Sequence, residues 1–206
     1  FTNVTGPYTT WTSATLWSPD FTGADLTGAN FTSATLTWAT ATSANLSSAN
    51  LKSTTLTNLS AVGATLDGAS LAYTSATGAI LNNASMVGVT GRYVSLTDSM
   101  LYGVDLTDAS LVWSNFDNAN AYGATLAGAT ITDSSFSRTK LNGVNLTGAN
   151  LAGSKMGNVG LWDANLTGAD VSYTDMTGAN LWGTILTDAD LTGAVLTDAS
   201  GRRVNM

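Results

Sequence analysis

The sequence predicts an all-β fold: a parallel β-coil of square cross-section that runs through the whole chain. Three observations predict it. A large apolar residue recurs at every fifth position from Phe1 to Met206 in one unbroken frame. The residue two before it is mostly small, and the residue two after it is mostly Gly, Asn or Asp, which tolerate positive φ. Of the 42 positions in the frame, 23 are Leu, five Phe and four Met, while only four Ala and three Gly dilute the series.

The period rules out the ordinary elements. A helix advances about 100° per residue, so a spacing of five never gathers an apolar stripe. A flat strand alternates with period two, so the same spacing would put successive large residues on opposite faces. The pattern is coherent only if the large residue and the small residue two before it both point inward and the chain then turns. Each pentapeptide is therefore a very short strand plus a corner. The corner position, two after the large residue, is Gly in 16 of 41 cases and Asn or Asp in 11 more. Those residues suit the positive φ at the third position of a type II turn.

Columns at a spacing of twenty fix the number of corners per coil. Tyr102, Tyr122, Trp162 and Trp182 share one register modulo twenty, and Tyr73, Tyr93, Trp113 and Tyr173 share another. Twelve of the 16 corner glycines fall in two of the four registers. Residues stacked one above another at this spacing require four pentapeptides per coil.

The repeated motif, a small residue, then Asp or Asn, then Leu or Phe and two further residues, appears as Ala24-Asp25-Leu26-Thr27-Gly28, Ala149-Asn150-Leu151-Ala152-Gly153 and Ala179-Asn180-Leu181-Trp182-Gly183. On these residues the chain resembles the pentapeptide repeat family over essentially its whole length. The resemblance implies a right-handed four-sided parallel β-helix, here of about ten coils and roughly 50 Å long at ~4.8 Å per stacked strand. One domain, 1–206, is expected, with less regular ends at 1–20, which holds Pro7 and Pro19, and at 201–206. Stability should accumulate between neighbouring coils.

Composition bounds the function. The 14 acidic residues are all Asp, and the chain has no His, Cys or Glu, with seven Lys and Arg and a net charge of −7. It therefore lacks an imidazole base, a thiolate nucleophile and an ordinary zinc site, and no enzyme, cofactor or metal site is expected. Asp in such a repeat bonds local backbone. No apolar run is long enough for a membrane-spanning helix and no signal peptide is recognisable; the first residue is not Met, and loss of a leader is expected. The Thr, Ser and Asn surface favours an extracellular or cell-surface setting.

Two sets of residues are candidates for contact. The column Tyr102, Tyr122, Trp162 and Trp182 would form an aromatic ladder on one wall, suited to sugar rings or a protein partner. The column Tyr73, Tyr93, Trp113 and Tyr173 occupies corners, where bulk at positive φ is strained, so a different turn type is expected there. The interior residues Ala41, Ala61, Ala76, Ala121 and Gly91 leave gaps that relaxed packing should fill; a ligand cavity, and a bend at Gly91-Arg92, are the alternatives. At the ends, Tyr8, Trp11, Trp17, Val204 and Met206 are expected to make contact with a further copy or with further chain.

Three functions fit. The first is a non-catalytic structural or adhesive rod, self-associating end to end or laterally or binding another protein. The second, implied by family members that resemble duplex DNA and bind type II topoisomerases, is DNA mimicry in the cytoplasm. It needs a continuous acidic stripe, whereas Asp20, Asp67, Asp98, Asp133, Asp163 and Asp198 are scattered. The third is binding of ice or carbohydrate, the former through the columns Thr37, Thr57, Thr77, Thr97 and Thr147, Thr167, Thr187. No nucleic-acid partner is expected.

Overall fold

We describe a computed structural model of the protein that covers residues 1–206. Its hydrogen bonding follows from one repeat. In Asn145-Leu146-Thr147-Gly148-Ala149 the Asn145 amide donates back to Ala124 O at 3.0 Å. The Leu146 and Gly148 amides donate forward to Asn165 O and Thr167 O at 2.7 and 2.9 Å, and the Ala149 amide closes the turn onto Leu146 O at 3.0 Å. The remaining amide, Thr147, is held by Asn145 Oδ1 at 3.1 Å. All five donors find partners, as buried or half-buried backbone requires. Asn145, before the large residue, thus captures the amide that no main-chain carbonyl of a neighbouring coil accepts.

Parallel bridges join every fifth residue to the residue twenty later, from Thr5↔Asp25 to Ile185↔Asn205. Four turns separate each pair of partners, and the chain contains no helix. Extended backbone longer than a single bridge occurs twice: β1 (Thr90–Arg92) pairs in parallel with β2 (Ser110–Val112), Gly91 opposite Leu111. Gly91 is therefore a site of extended pairing and not of a bend. A Cβ there would lie 2.7 Å from Val94 Cγ2 of the same coil and 3.1 Å from the Leu71 carbonyl carbon of the coil before, so a side chain at 91 would crowd both.

Large and small residues of the frame point inward together. Leu26, Leu106 and Leu146 are buried, as are Ala24, Val104 and Val144. Each buried Leu contributes roughly 1.5–3 kcal/mol. The ladder is mostly aliphatic, with Phe116 and Phe136 stacked at 4.7 Å inside it. Ala41 and Ala76 border apolar voids of about 20 and 10 Å³, so the wall closes around the small residues and leaves no ligand cavity.

Every corner residue, glycine or not, has φ between 48° and 70°. Tyr73, Tyr93, Trp113 and Tyr173 lie at 61°, 57°, 53° and 55°. The expectation that aromatic corners avoid the left-handed region is therefore wrong. The bridges on either side fix the direction in which the chain must leave, and the backbone accepts the strain. What does vary is the turn hydrogen bond. Thr74 and Thr174 donate to Leu71 O and Val171 O at 2.9 and 3.4 Å. After Tyr93, Trp113 and Asp133 a serine replaces that carbonyl. The Val94, Ser114 and Ser134 amides donate to Ser114, Ser134 and Ser154 Oγ, one coil on, at 3.1, 2.9 and 3.1 Å.

Candidate interaction surface

The corner column is the more continuous of the two aromatic sets. Tyr73, Tyr93 and Trp113 stack in succession with centroids 5.4 Å apart and planes within about 22°. Arg92 sets its guanidinium carbon 4.6 Å from the centre of the Trp113 ring, a cation–π contact on the same wall. All three rings remain half exposed, at 51%, 51% and 42%. Tyr173 belongs to the same column but stands apart, since Asp133 and Gly153 occupy the two intervening coils.

The other column is two pairs and not one ladder. Tyr102 and Tyr122 are 6.1 Å apart and tilted by 42°, and Trp162 and Trp182 are 6.1 Å apart and tilted by 35°. Asn142 separates them, its Oδ1 accepting the Trp162 amide at 3.1 Å. The Tyr102 hydroxyl accepts a hydrogen bond from Asn120 Nδ2 at 2.8 Å. Trp38, exposed at a corner with φ 62°, belongs with these surface aromatics but was not among the sequence candidates, because no aromatic lies twenty residues to either side of it.

The end candidates divide. Tyr8, Trp17 and Met206 are largely exposed. Trp11 is packed among Phe1, Phe21 and Phe31 at 5.1, 5.7 and 5.9 Å, and Val204 packs against the core, so both act chiefly as core residues.

Some Asp residues bond within their own repeat, while Asp67 and Asp117 accept from the next coil. Asp25 Oδ1 accepts the Thr27 hydroxyl at 2.6 Å and its amide at 3.2 Å, and Asp175 accepts the same two groups of Thr177 at 2.6 and 3.0 Å. These bonds, the hydroxyl foremost, hold both carboxyl groups below the ordinary carboxylate range. Thr147 and Thr167 likewise spend their hydroxyl protons on Asn145 and Asn165, at 2.7 and 2.6 Å. Among the acids, only Asp170 and Asp190 stack one coil apart in the same column.

A family model described as pentapeptide repeats matches residues 12–47, 44–83, 69–108, 109–148 and 145–183 in eight copies. The chain belongs to the pentapeptide repeat family. Among solved structures it is similar to QnrB1, a plasmid-mediated fluoroquinolone resistance protein, with 17% identity over 88% of this chain and 91% of the other and a TM-score of 0.50. HetL, a pentapeptide repeat protein involved in heterocyst differentiation regulation from the cyanobacterium Nostoc sp. strain PCC 7120, is 26% identical over 94% of this chain and 87% of its own, with a TM-score of 0.40. A pentapeptide repeat protein from the Arabidopsis thaliana thylakoid lumen is 32% identical over 48% of this chain and 70% of its own, with a TM-score of 0.47. No match was found among curated protein sequences. For this pentapeptide repeat protein, membership accounts for the repeat frame.

Proposed function

We propose that this protein is a non-catalytic structural or adhesive rod of a secreted or cell-surface protein, folded as a right-handed four-sided β-helix of about ten coils. Its contacts are made through the outer walls. The observation that carries this reading is the Tyr73–Tyr93–Trp113 stack. Each ring sits at a corner where glycine is free of the left-handed strain that a side chain incurs, and each keeps about half its surface in water. Stacking offsets part of the strain; the exposed remainder is apolar surface for a partner. The absence of His, Cys and Glu from the sequence weighs against acid–base catalysis, which needs groups tuned towards neutrality.

Self-association is the simplest use of such a wall, laterally through aromatic columns or end to end through the backbone edges of a β-coil. Sedimentation velocity and electron microscopy over a wide concentration range test it. Concentration-dependent assembly is expected, and replacing Tyr73 and Tyr93 by Ser should weaken it. A rod that stays monomeric throughout would overturn self-association.

DNA mimicry is the second reading, favoured only by the net charge of −7. The single stacked acid pair, Asp170 and Asp190, is a poor substitute for two phosphate strands. A gyrase supercoiling assay should show no inhibition. Salt-sensitive inhibition at low concentration would put this reading first.

A further inference from the structure

Beyond the aromatic stack the rod wall becomes concave. An open depression of about 300 Å³ is lined by Trp113, Asn115, Asp133, Ser135, Gly153 and Lys155. Its shape comes from the corner column, which reads Tyr93, Trp113, Asp133, Gly153, Tyr173 at intervals of twenty. Bulky rings stand at 113 and 173, with a short carboxylate and a bare glycine between them. Three coils at ~4.8 Å separate the two rings by roughly 14 Å. Gly153 has φ +70°, and a Cβ there would come 2.8 Å from Asp133 Oδ1. The carboxylate therefore lies across a floor that no side chain obstructs.

The backbone beneath is also the part of the wall where corners lose their usual bond. The turns after Trp113 and Asp133 are held through Ser134 and Ser154 Oγ; the Ser134 hydroxyl in turn has Thr132 O at 3.0 Å and Leu111 O at 3.2 Å as acceptors, and the Ser154 hydroxyl donates to Ile131 O at 3.0 Å. Tyr93 stacks on the Trp113 ring at 5.4 Å and the Arg92 guanidinium carbon lies 4.6 Å from its centre, yet 42% of Trp113 stays exposed and the residue lines the depression. Asp133 and Lys155 line the same depression without forming an ion pair.

We propose that this depression binds one pyranose ring of a neutral carbohydrate. A pyranose has an apolar C–H face and a rim of hydroxyl groups that both donate and accept. Trp113 is the one apolar element of the site and offers a surface for the C–H face. Asp133 is an acceptor only and Lys155 a donor only, so together they orient the hydroxyls between them, and Asn115 adds a group of either kind. A site with one aromatic residue among polar ones does not suit a wholly apolar ligand. The net charge of −7 disfavours a polyanionic glycan.

The site deepens the adhesive reading by naming a class of surface to adhere to, and it is tested independently of self-association. The probes are cellotriose, triacetylchitotriose, mannotriose and polygalacturonate, titrated into the 206-residue chain and followed by amide NMR shifts. At least one neutral trisaccharide is expected to bind at millimolar concentration or better and to move the amides of residues 113–115 and 133–135. Trp113→Ala should weaken that binding at least tenfold and Asp133→Asn several-fold, whereas Trp182→Ala on another wall should leave it unchanged. Asp133→Asn keeps the side-chain shape, so the test survives if Trp113→Ala misfolds. Tyr73→Ser should alter assembly without altering sugar binding, which separates failure of this site from failure of the rod reading. The proposal is overturned if no neutral sugar moves these amides, if Asp133→Asn and Trp113→Ala bind as the parent does, or if only polygalacturonate binds.

Discussion

Tyr173 lies over the backbone of Gly193, the corner residue of the next coil, so that a Cβ at 193 would stand 2.6 Å from Tyr173 Cδ1. Tyr8 has the same relation to Gly28, and Asn158 and Asn83 lean likewise over Gly178 and Gly103. A side chain at one corner thus occupies space above the following corner, where glycine leaves room. Gly148, by contrast, has nothing near its absent Cβ.

Replacing glycine by alanine should separate the two situations. Both Gly148 and Gly193 have positive φ, 64° and 69°, so each substitution costs about 1 kcal/mol of strain. Gly193→Ala should cost more, because the Tyr173 ring must also move. Urea unfolding of the double variant with Tyr173→Gly should remove the excess at 193 and leave the Gly148→Ala value unchanged.

Inward and outward positions of one repeat should respond very differently. Leu146 is fully buried, so Leu146→Asp places an unpaired charge in the core and should cost several kcal/mol. The damage should be confined to adjacent coils, seen as lost amide protection nearby. Thr147→Ala removes only the hydroxyl bond to Asn145 and should cost about 0.5–1 kcal/mol. Thr147 is therefore not the silent position that its outward direction implies. Equal losses from the two substitutions would contradict the assignment of faces.

The serine relay predicts a sensitive interior position that looks innocuous in the sequence. Ser134 Oγ accepts the Ser114 amide at 2.9 Å and has Thr132 O and Leu111 O as acceptors for its own proton, at 3.0 and 3.2 Å. Ser134→Ala leaves that buried amide without its acceptor, a loss of about 1–3 kcal/mol. Thermal unfolding should show it clearly, while Ala124 already occupies the equivalent position of a turn closed by its own amide.

Acid should loosen the rod. Asp25 and Asp175 have carboxyls held below the ordinary value of 3.8, first by a Thr hydroxyl and then by the Thr amide. A depressed folded pKa gives stability that is present above the unfolded value and lost as pH falls through the folded one. The melting temperature should therefore be flat from neutrality to about pH 5 and decline below about pH 4. Asp25→Asn with Asp175→Asn keeps an oxygen acceptor for each amide and should shallow that decline. An acid limb unchanged by the pair would rule out these carboxylates as its source.

The sequence by itself determined the fold, because every repeat states the same local rule. The inward pair, the Asx acceptor and the corner lie within five consecutive residues, and bonding between coils is set by the main chain wherever a period of twenty is kept. That is why the assignment of Leu106 and Leu146 to the core could be read without coordinates. The surface could be read only as columns. Sequence registers placed Tyr102 and Trp182 in one ladder; the tertiary structure broke it into tilted pairs around Asn142 and showed Tyr73, Tyr93 and Trp113 to be the continuous stack. Register says which residues are neighbours but not how rings tilt, since that depends on rotamers chosen against adjacent coils. Tyr93 at φ 57° shows the same limit from the other side. Local propensity argued against a ring in the left-handed region, but bridges to the coils above and below fix the chain path at each corner, and a residue there takes the conformation the stack imposes. The depression beside Trp113 also belongs to tertiary structure alone, because Asp133, Gly153 and Lys155 form a concave site only when three coils are laid together.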